Sequence, residues 1–305
     1  MATINGNNGN NDLIGTDNND IIRGLGGEDI IIGRLGDDLI RGGDNFDRIH
    51  GDQGNDRLFG GNGFDFVAGG DGNDVIFGDA GDDQLIGNFG DDQIFGNTGN
   101  DYAAGNDGND SLYGGSGNDF FVGEAGRDTV NGESGNDFVA GGLDDDIVSG
   151  GAGRDLVYGD EGNDYVSGGS GNDIVRGGAG DDIVVGGSGR DTLFGDAGAD
   201  AFVFNASLTA ANTGTNADRV RDFVVADDTV WLKASIFTQA GPAGTLSADA
   251  FHIGTSAADA TDRIIYDQAT GALYYDRDGN GSAQQVLFAK LSAGLALTNN
   301  DFLIY

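Results

Sequence analysis

The run Gly168-Gly169-Ser170-Gly171-Asn172-Asp173-Ile174-Val175-Arg176 decides the fold, because the next nine residues, Gly177-Gly178-Ala179-Gly180-Asp181-Asp182-Ile183-Val184-Val185, repeat its design. Extending the frame both ways gives 22 consecutive nonapeptides, from Gly6 to Val203, without insertion or deletion. The first position is Gly in all 22, and the fourth is Gly in 19, with Asn18, Asn45 and Asp144 as exceptions. The sixth is Asp in 21, Asn11 being the lone departure, and the eighth is large and apolar in 21, Ala103 being the exception. Repetition at a fixed short period is the mark of a stacked repeat architecture.

Each position has a physical role. Gly at the first and fourth positions is expected to supply backbone angles closed to other residues, and Asn and Asp tolerate such angles best among the rest. The first six residues then form a tight turn whose carbonyls point at one spot. Positions seven to nine predict a three-residue strand, with the eighth side chain on one face and the seventh and ninth on the other. Two nonapeptides make one 18-residue coil with strands on opposite sides of a shared apolar core. The expected fold is all-β: a parallel β-roll solenoid of 22 units, about 11 coils, over residues 6–204, followed by a β-rich C-terminal cap over residues 205–305.

Composition narrows the chemistry. The 305 residues include 59 Gly, one Pro, no Cys, and 51 acids against 15 bases, a formal charge of −36. With no basic patch to neutralise phosphate, nucleic-acid binding is excluded. Without Cys there are no disulfides, thiolate metal sites or Cys nucleophiles. No apolar run approaches the ~20 residues of a membrane-spanning helix, and Met1-Ala2-Thr3-Ile4-Asn5 has no signal-peptide pattern. His-Glu-x-x-His, Gly-x-Ser-x-Gly and phosphate-loop motifs do not occur. Paired acids such as Asp37-Asp38 and Asp181-Asp182 fall in repeat turns, where they read as ligand and neighbour rather than acid and base. The expectation is a protein that is not an enzyme.

The sixth-position carboxylates point to a cation. One apolar residue per unit offsets little of the ~1–2 kcal/mol of backbone entropy lost by each Gly-rich turn residue. The 18-residue coil stacks the aspartates in two columns. One column is Asp20, Asp38, Asp56, Asp74, Asp92, Asp110, Asp128, Asp146, Asp164, Asp182 and Asp200. The other is Asp29, Asp47, Asp65, Asp83, Asp101, Asp119, Asp137, Asp155, Asp173 and Asp191, with Asn11 at its head. Bare carboxylates ~5 Å apart repel by about 3 kcal/mol at an effective dielectric of 20, and a divalent ion between them reverses the sign. Calcium suits this setting, because it accepts six to eight oxygens in forgiving geometry, carboxylate and carbonyl together. The stacking allows up to about 20 Ca2+ ions, fewer at full strength, with the gap at Asn11 weakest.

The unit Gly-Gly-x-Gly-(Asn/Asp)-Asp-x-apolar-x resembles the nonapeptide of RTX (repeats-in-toxin) proteins. This resemblance covers about two-thirds of the chain. It implies a parallel β-roll with calcium between adjacent turns, ligated by the sixth-position Asp and by glycine-turn carbonyls. The C-terminal pieces Asp218-Arg219-Val220-Arg221-Asp222-Phe223, Tyr266-Asp267-Gln268-Ala269-Thr270-Gly271-Ala272-Leu273-Tyr274-Tyr275-Asp276 and Asp301-Phe302-Leu303-Ile304-Tyr305 resemble the end of RTX proteins exported by type I secretion. That implies an exporter as partner and a secreted bacterial protein, and the aspartate columns point to folding switched on by extracellular calcium.

Beyond calcium the readings diverge. Phe59, Phe77, Phe95 and Tyr113, spaced by 18, are expected to stack as an exposed aromatic ladder, available for self-association or for contact with a glycan or a membrane. A surface or matrix protein with adhesive character is the first reading; a membrane-active or host-interaction effector and a polysaccharide-binding module are the alternatives. Within the last hundred residues, strands are expected around Arg219–Val224, Asp228–Leu232, Arg263–Asp267 and Ala272–Asp276, the last two joined by a hairpin turn. Asp276-Arg277-Asp278-Gly279-Asn280-Gly281 begins like an EF-hand loop, but Leu287 stands where the bidentate Glu belongs, so a hairpin turn is expected. His50 and His252 carry no expected chemistry.

Overall fold

The computed structural model describes residues 1–208 and 217–305. It is an all-β parallel solenoid of about 11 turns with further strands C-terminal to the repeats. The chain forms two compact units, Met1–Ala152 and Gly153–Tyr305.

In the first unit, strands alternate between two sheets. The chain opens with β1 (Thr3–Asn5), β2 (Asp12–Ile14), β3 (Ile21–Gly26), β4 (Ile30–Leu35) and β5 (Leu39–Asp44). Strand β1 pairs with β3 and β3 with β5, while β2 pairs with β4, all parallel and 18 residues apart in register. The same shift links Ile40 to Leu58, Leu58 to Ile76 and Ile76 to Ile94. Eighth-position side chains therefore stack inside: Ile22, Ile40, Leu58, Ile76 and Ile94 on one sheet and Ile31, Ile49, Val67 and Leu85 on the other are all 0% exposed. Ala103 keeps its place in that row, also fully buried.

Most strands are longer than the repeat alone suggests. Among the described strands of the repeats only β1 and β2 have the three residues expected; from β3 to Thr192–Ala197 a strand takes positions seven to nine of one nonapeptide and at least one to three of the next, as in Leu39-Ile40-Arg41-Gly42-Gly43-Asp44. The sheet register continues through those added residues, pairing Gly43 with Gly61 and Asp52 with Gly70. Each added ladder step gives backbone groups a partner they would otherwise lack.

The second unit carries the remaining repeats and then keeps stacking after the period ends. Asp218–Val220 pairs parallel with Thr192–Ala197, aligning Val220 with Leu193, and Thr229–Leu232 pairs parallel with Ala201–Phe204, aligning Val230 with Phe202. Phe302–Ile304 then pairs parallel with Thr229–Leu232, and Val286–Lys290 with Asp218–Val220. Ile264–Asp267 and Ala272–Tyr275 form the antiparallel hairpin, closed where the Gly271 and Thr270 amides donate to the Asp267 carbonyl. Phe204, Phe237, Tyr275 and Phe288 meet edge to face at 5.1–5.2 Å and fill the space beneath. The Asp276–Gly281 loop has no flanking α-helix; the Asp278 amide donates to Asp276 Oδ1 and the Ala283 amide to Asp278 Oδ2.

Candidate metal centre

The turn geometry corrects one expectation from sequence. Positive φ angles fall at the second and fourth positions, not the first and fourth, in the 20 units from Gly24 to Ala201-Phe202-Val203: Leu25 (88°) with Gly27 (98°), Gly43 (128°) with Asn45 (78°), Asp196 (68°) with Gly198 (150°). The second position tolerates Leu, Arg, Asn, Asp and Glu in these left-handed angles. The invariant first Gly has a different cause, close approach. A Cβ on Gly24 would overlap Asp29 Oδ2 and crowd the Gly42 carbonyl oxygen one coil on, and Gly87 is placed likewise against Asp92 and Gly105.

The sixth-position aspartates lie inside, every one at most 3% exposed. Within each column the amide of one Asp donates to Oδ1 of the Asp one coil later: Asp38 to Asp56 at 2.7 Å, Asp56 to Asp74 at 2.7 Å, Asp47 to Asp65 at 2.7 Å, Asp173 to Asp191 at 2.9 Å. The second oxygen has no such partner. Oδ2 of Asp29, Asp38, Asp47, Asp56, Asp65, Asp74, Asp83, Asp92, Asp101, Asp110, Asp119, Asp128, Asp173, Asp182 and Asp191 is buried without a hydrogen bond. Asp137, Asp146, Asp155, Asp164 and Asp200 occupy the same column positions and are equally buried.

Stacking such groups has an electrostatic cost. Burial pushes the carboxyls of Asp47 and Asp56 up to about 7 and those of Asp83 and Asp92 up to about 8; the hydrogen bond from the preceding Asp amide opposes the rise, and column neighbours add to it. A buried carboxylate oxygen without a donor is an expensive feature in a protein interior. Its repetition at 15 positions marks a common requirement, and a cation satisfies it.

The donor set fits calcium. Beside the bare Oδ2 of Asp29, Asp38, Asp47, Asp56, Asp92 and Asp173 stand backbone carbonyl oxygens of first-position glycines, an oxygen donor set. Among the described residues no three acidic or His side chains converge on one point, so an ion would take carboxylates from the column and the rest of its shell from main-chain oxygen. Bound there, calcium would supply positive charge to the buried carboxylates and tie successive coils together.

Three turns are built differently. The Asn7 amide donates to Asn11 Oδ1 at 2.7 Å, the Thr16 amide and Oγ1 donate to Asp20 Oδ2 at 2.7 and 2.8 Å, and the Val224 amide donates to Asp228 Oδ2 at 2.7 Å. Each follows a three-residue strand, β1, β2 or Asp218–Val220. The physical contrast is direct. Where the strand stops at three residues, the second-position amide is left to close the turn onto the sixth side chain. Where the strand runs on to six, that stretch of backbone joins the ladder and Oδ2 is left bare. Asp20, expected as a ligand, is thus held by its own turn, with Oδ1 taken by the Ala2 amide. These hydrogen bonds hold its carboxyl below the usual range, that from Ala2 first.

Two column members were missed from sequence. The Asp191 amide donates to Asp218 Oδ1 and the Asp200 amide to Asp228 Oδ1, both at 3.0 Å, and both receiving residues are buried. They stand 27 and 28 residues beyond their predecessors, off the 18-residue period. The signal available was the triplet Asp-x-Val in Asp218-Arg219-Val220 and Asp228-Thr229-Val230, which repeats positions six to eight without the glycines.

The ladder side chains do stack. Phe59, Phe77, Phe95 and Tyr113 follow one another at centroid distances of 4.8, 4.9 and 5.3 Å with planes within 10°. On the other sheet Tyr102, Phe120 and Phe138 stack at 5.3 and 4.4 Å. His50 lies 5.5 Å from the Phe66 ring, and His252 Nδ1 is 3.7 Å from Asp262 Oδ2.

The family model described as the RTX calcium-binding nonapeptide repeat (4 copies) matches eight stretches that together span residues 5–202. A solution structure of the AlgE6R3 subunit from the Azotobacter vinelandii mannuronan C5-epimerase is similar over 53% of this chain and 80% of that one, at 25% identity and a TM-score of 0.23. No curated protein matches the chain.

Proposed function

Because this chain belongs to the RTX calcium-binding nonapeptide-repeat family, we propose that its open turns hold calcium between successive sixth-position aspartates and that external calcium switches the solenoid on. Proteins of this family bind calcium through such repeats and are typically secreted. The observation that carries the reading is the row of buried Oδ2 atoms without hydrogen bonds. The ligand carboxylates are those of the two columns, from Asp29 and Asp38 through Asp191 and Asp200. The calcium-dependent repeat comprises residues 6–204, and residues 205–305 form a cap carrying the export signal for type I secretion.

The protein's role is structural, at a cell surface or in a matrix. Among the described residues no helix is long and apolar enough to cross a membrane. The outward strand positions carry exposed apolar side chains, among them Ile30, Tyr102, Phe120, Ile147 and Ile174, and these suit adhesive contact. Extracellular modules bind calcium at roughly 10⁻⁴ to 10⁻³ M, which places the switch between the inside and outside of a cell. Far-UV circular dichroism during calcium titration tests the switch: coil should become β as calcium rises and return with chelator. A spectrum indifferent to chelator at neutral pH refutes it.

A further inference from the structure

We infer that a groove on the outer face of the first unit is a binding site for a neutral glycan. It is crossed by β4 and by the strands Arg48–Gln53, Phe66–Asp71 and Gln84–Phe89, and has a volume of about 840 Å3. Small residues make its floor. In the ninth-position row Ala68 lies in register between His50 and Ile86, and in the second-position row Gly70 lies between Asp52 and Asn88. The short side chains leave a hollow two strand spacings wide, about 10 Å. Its ends are apolar. Third positions of the repeat are mostly small or polar, and only Leu35, Phe89 and Leu143 are large and apolar there. Leu35 and Phe89 stand on either side of this hollow, with Phe89 59% exposed.

The lining selects the ligand. The side chains of Asp52 and Asn88 make no hydrogen bond among the described residues. Two looser contacts flank them: Gln53 Nε2 donates to Asp71 Oδ2 at 3.2 Å, and Arg34 lies 3.6 Å from Asp17. Carboxylates only accept, whereas carboxamides accept and donate, so this set answers to a ligand rich in hydroxyls. Leu35, Phe66 and Phe89 offer apolar surface beside it, which suits the C–H face of a sugar ring. Three other occupants fit less well. A polyanion meets Asp17, Asp52 and Asp71 against Arg34, in a chain of formal charge −36. A cation finds its place against Phe66 taken by Arg48, whose guanidinium carbon lies 5.7 Å from the ring centroid. An extended peptide finds no free backbone, because all four strands pair on both sides. This site rests on the surface role proposed above and supplies its partner, a neutral saccharide; it requires the folded solenoid, whatever ion the turns hold.

Isothermal titration calorimetry with cellohexaose, laminarihexaose, maltohexaose and mannohexaose, and with hexagalacturonate as an acidic counterpart, tests the site. The full chain is titrated in saturating calcium, with circular dichroism on the same samples. A failure of the calcium reading appears there as missing β structure, separately from any result on sugars. At least one neutral hexasaccharide should bind with Kd below about 1 mM, and more tightly than hexagalacturonate. Three substitutions bring into the groove residues that other repeats hold at the same position, so the fold accommodates them. Ala68→Phe, matching Phe77, fills the hollow and should abolish binding. Asn88→Gly, matching Gly61, and Phe89→Ala, matching Ala80, should each weaken it roughly fivefold to tenfold. Leu143→Ala, at a third position outside the groove, should leave affinity unchanged. Absence of binding by all four neutral sugars overturns the proposal, as does a preference for hexagalacturonate or an affinity that survives Ala68→Phe.

Discussion

At the residue scale, one side chain type performs two tasks, and the backbone around it decides which. Asp56 shares its Oδ1 with the Asp38 amide and leaves Oδ2 bare, whereas Asp20 receives three donors at its two oxygens. Asp56→Ala should therefore lower calcium stoichiometry by one or two ions in isothermal titration. Asp20→Ala should leave stoichiometry unchanged and cost about 1–3 kcal/mol with calcium present, read from chemical denaturation. The bare carboxyls also set a pH dependence. Carboxyls near 3.8 in the unfolded chain rise to about 6 at Asp38, Asp65 and Asp74 and to about 7 or 8 at Asp47, Asp56, Asp83 and Asp92. Between those limits the folded state holds protons that the unfolded state has lost. Stability of the calcium-free fold is then greatest at the acid end and falls as pH rises from about 4 to about 8. Calcium takes the deprotonated form and reverses this trend, so titration near neutral pH should release protons. Calorimetry in buffers of differing ionisation enthalpy reads that release, and a heat independent of buffer contradicts the assignment. Sequence made the columns visible because Asp recurs every nine residues. It left the closed turns hidden, because Asn7-to-Asn11 and Thr16-to-Asp20 differ from their neighbours in hydrogen bonding rather than in sixth-position chemistry.

At the element scale, the strand is where the repeat was least legible. Alternation in positions seven to nine gave the inward residue correctly, as the full burial of Ile40, Leu58 and Ile76 shows. The extension to six residues was not readable, because Gly, Asp and Asn at positions one to three have low strand propensity and are held in the ladder by stacking on identical neighbours. The same stacking explains the aromatic rows. With centroids 4.8–5.3 Å apart and planes nearly parallel, the faces of Phe77 and Phe95 are covered by neighbouring rings and mainly the edges meet solvent. The ladder is thus first a cross-strand support, continued at one end by Arg41, whose guanidinium carbon lies 4.9 Å from the Phe59 centroid. Phe77→Ser removes two ring contacts and should cost about 1–3 kcal/mol in calcium, measured from thermal unfolding, with calcium stoichiometry unchanged. A loss of bound ions in this variant contradicts the separation of outer ladder from inner column.

At the scale of the whole molecule, the end of the nine-residue period is not the end of the stacking. Val220 and Val230 continue the inner rows, and Asp218 and Asp228 continue the columns, after 27- and 28-residue steps. The fall in Gly after residue 204 gave the compositional change, but a strand's partner across an irregular connection depends on folded contacts that no local pattern encodes. This continuity makes the C-terminal strands dependent on the repeats beneath them. Thr229–Leu232 has Ala201–Phe204 as the surface on which it pairs, and it contains Trp231, the one Trp of the chain. The indole donates to Thr229 Oγ1 and lies 5.9 Å from the Tyr305 ring, so its emission reports whether this extra coil has assembled. On calcium titration Trp231 fluorescence should change over the same range as the circular dichroism signal. Asp182→Asn and Asp191→Asn, placed in the last open turns beneath it, should shift the Trp231 midpoint to higher calcium. A Trp231 signal already native in chelator, or one that ignores both substitutions, would show that the extra coil forms without the columns below it.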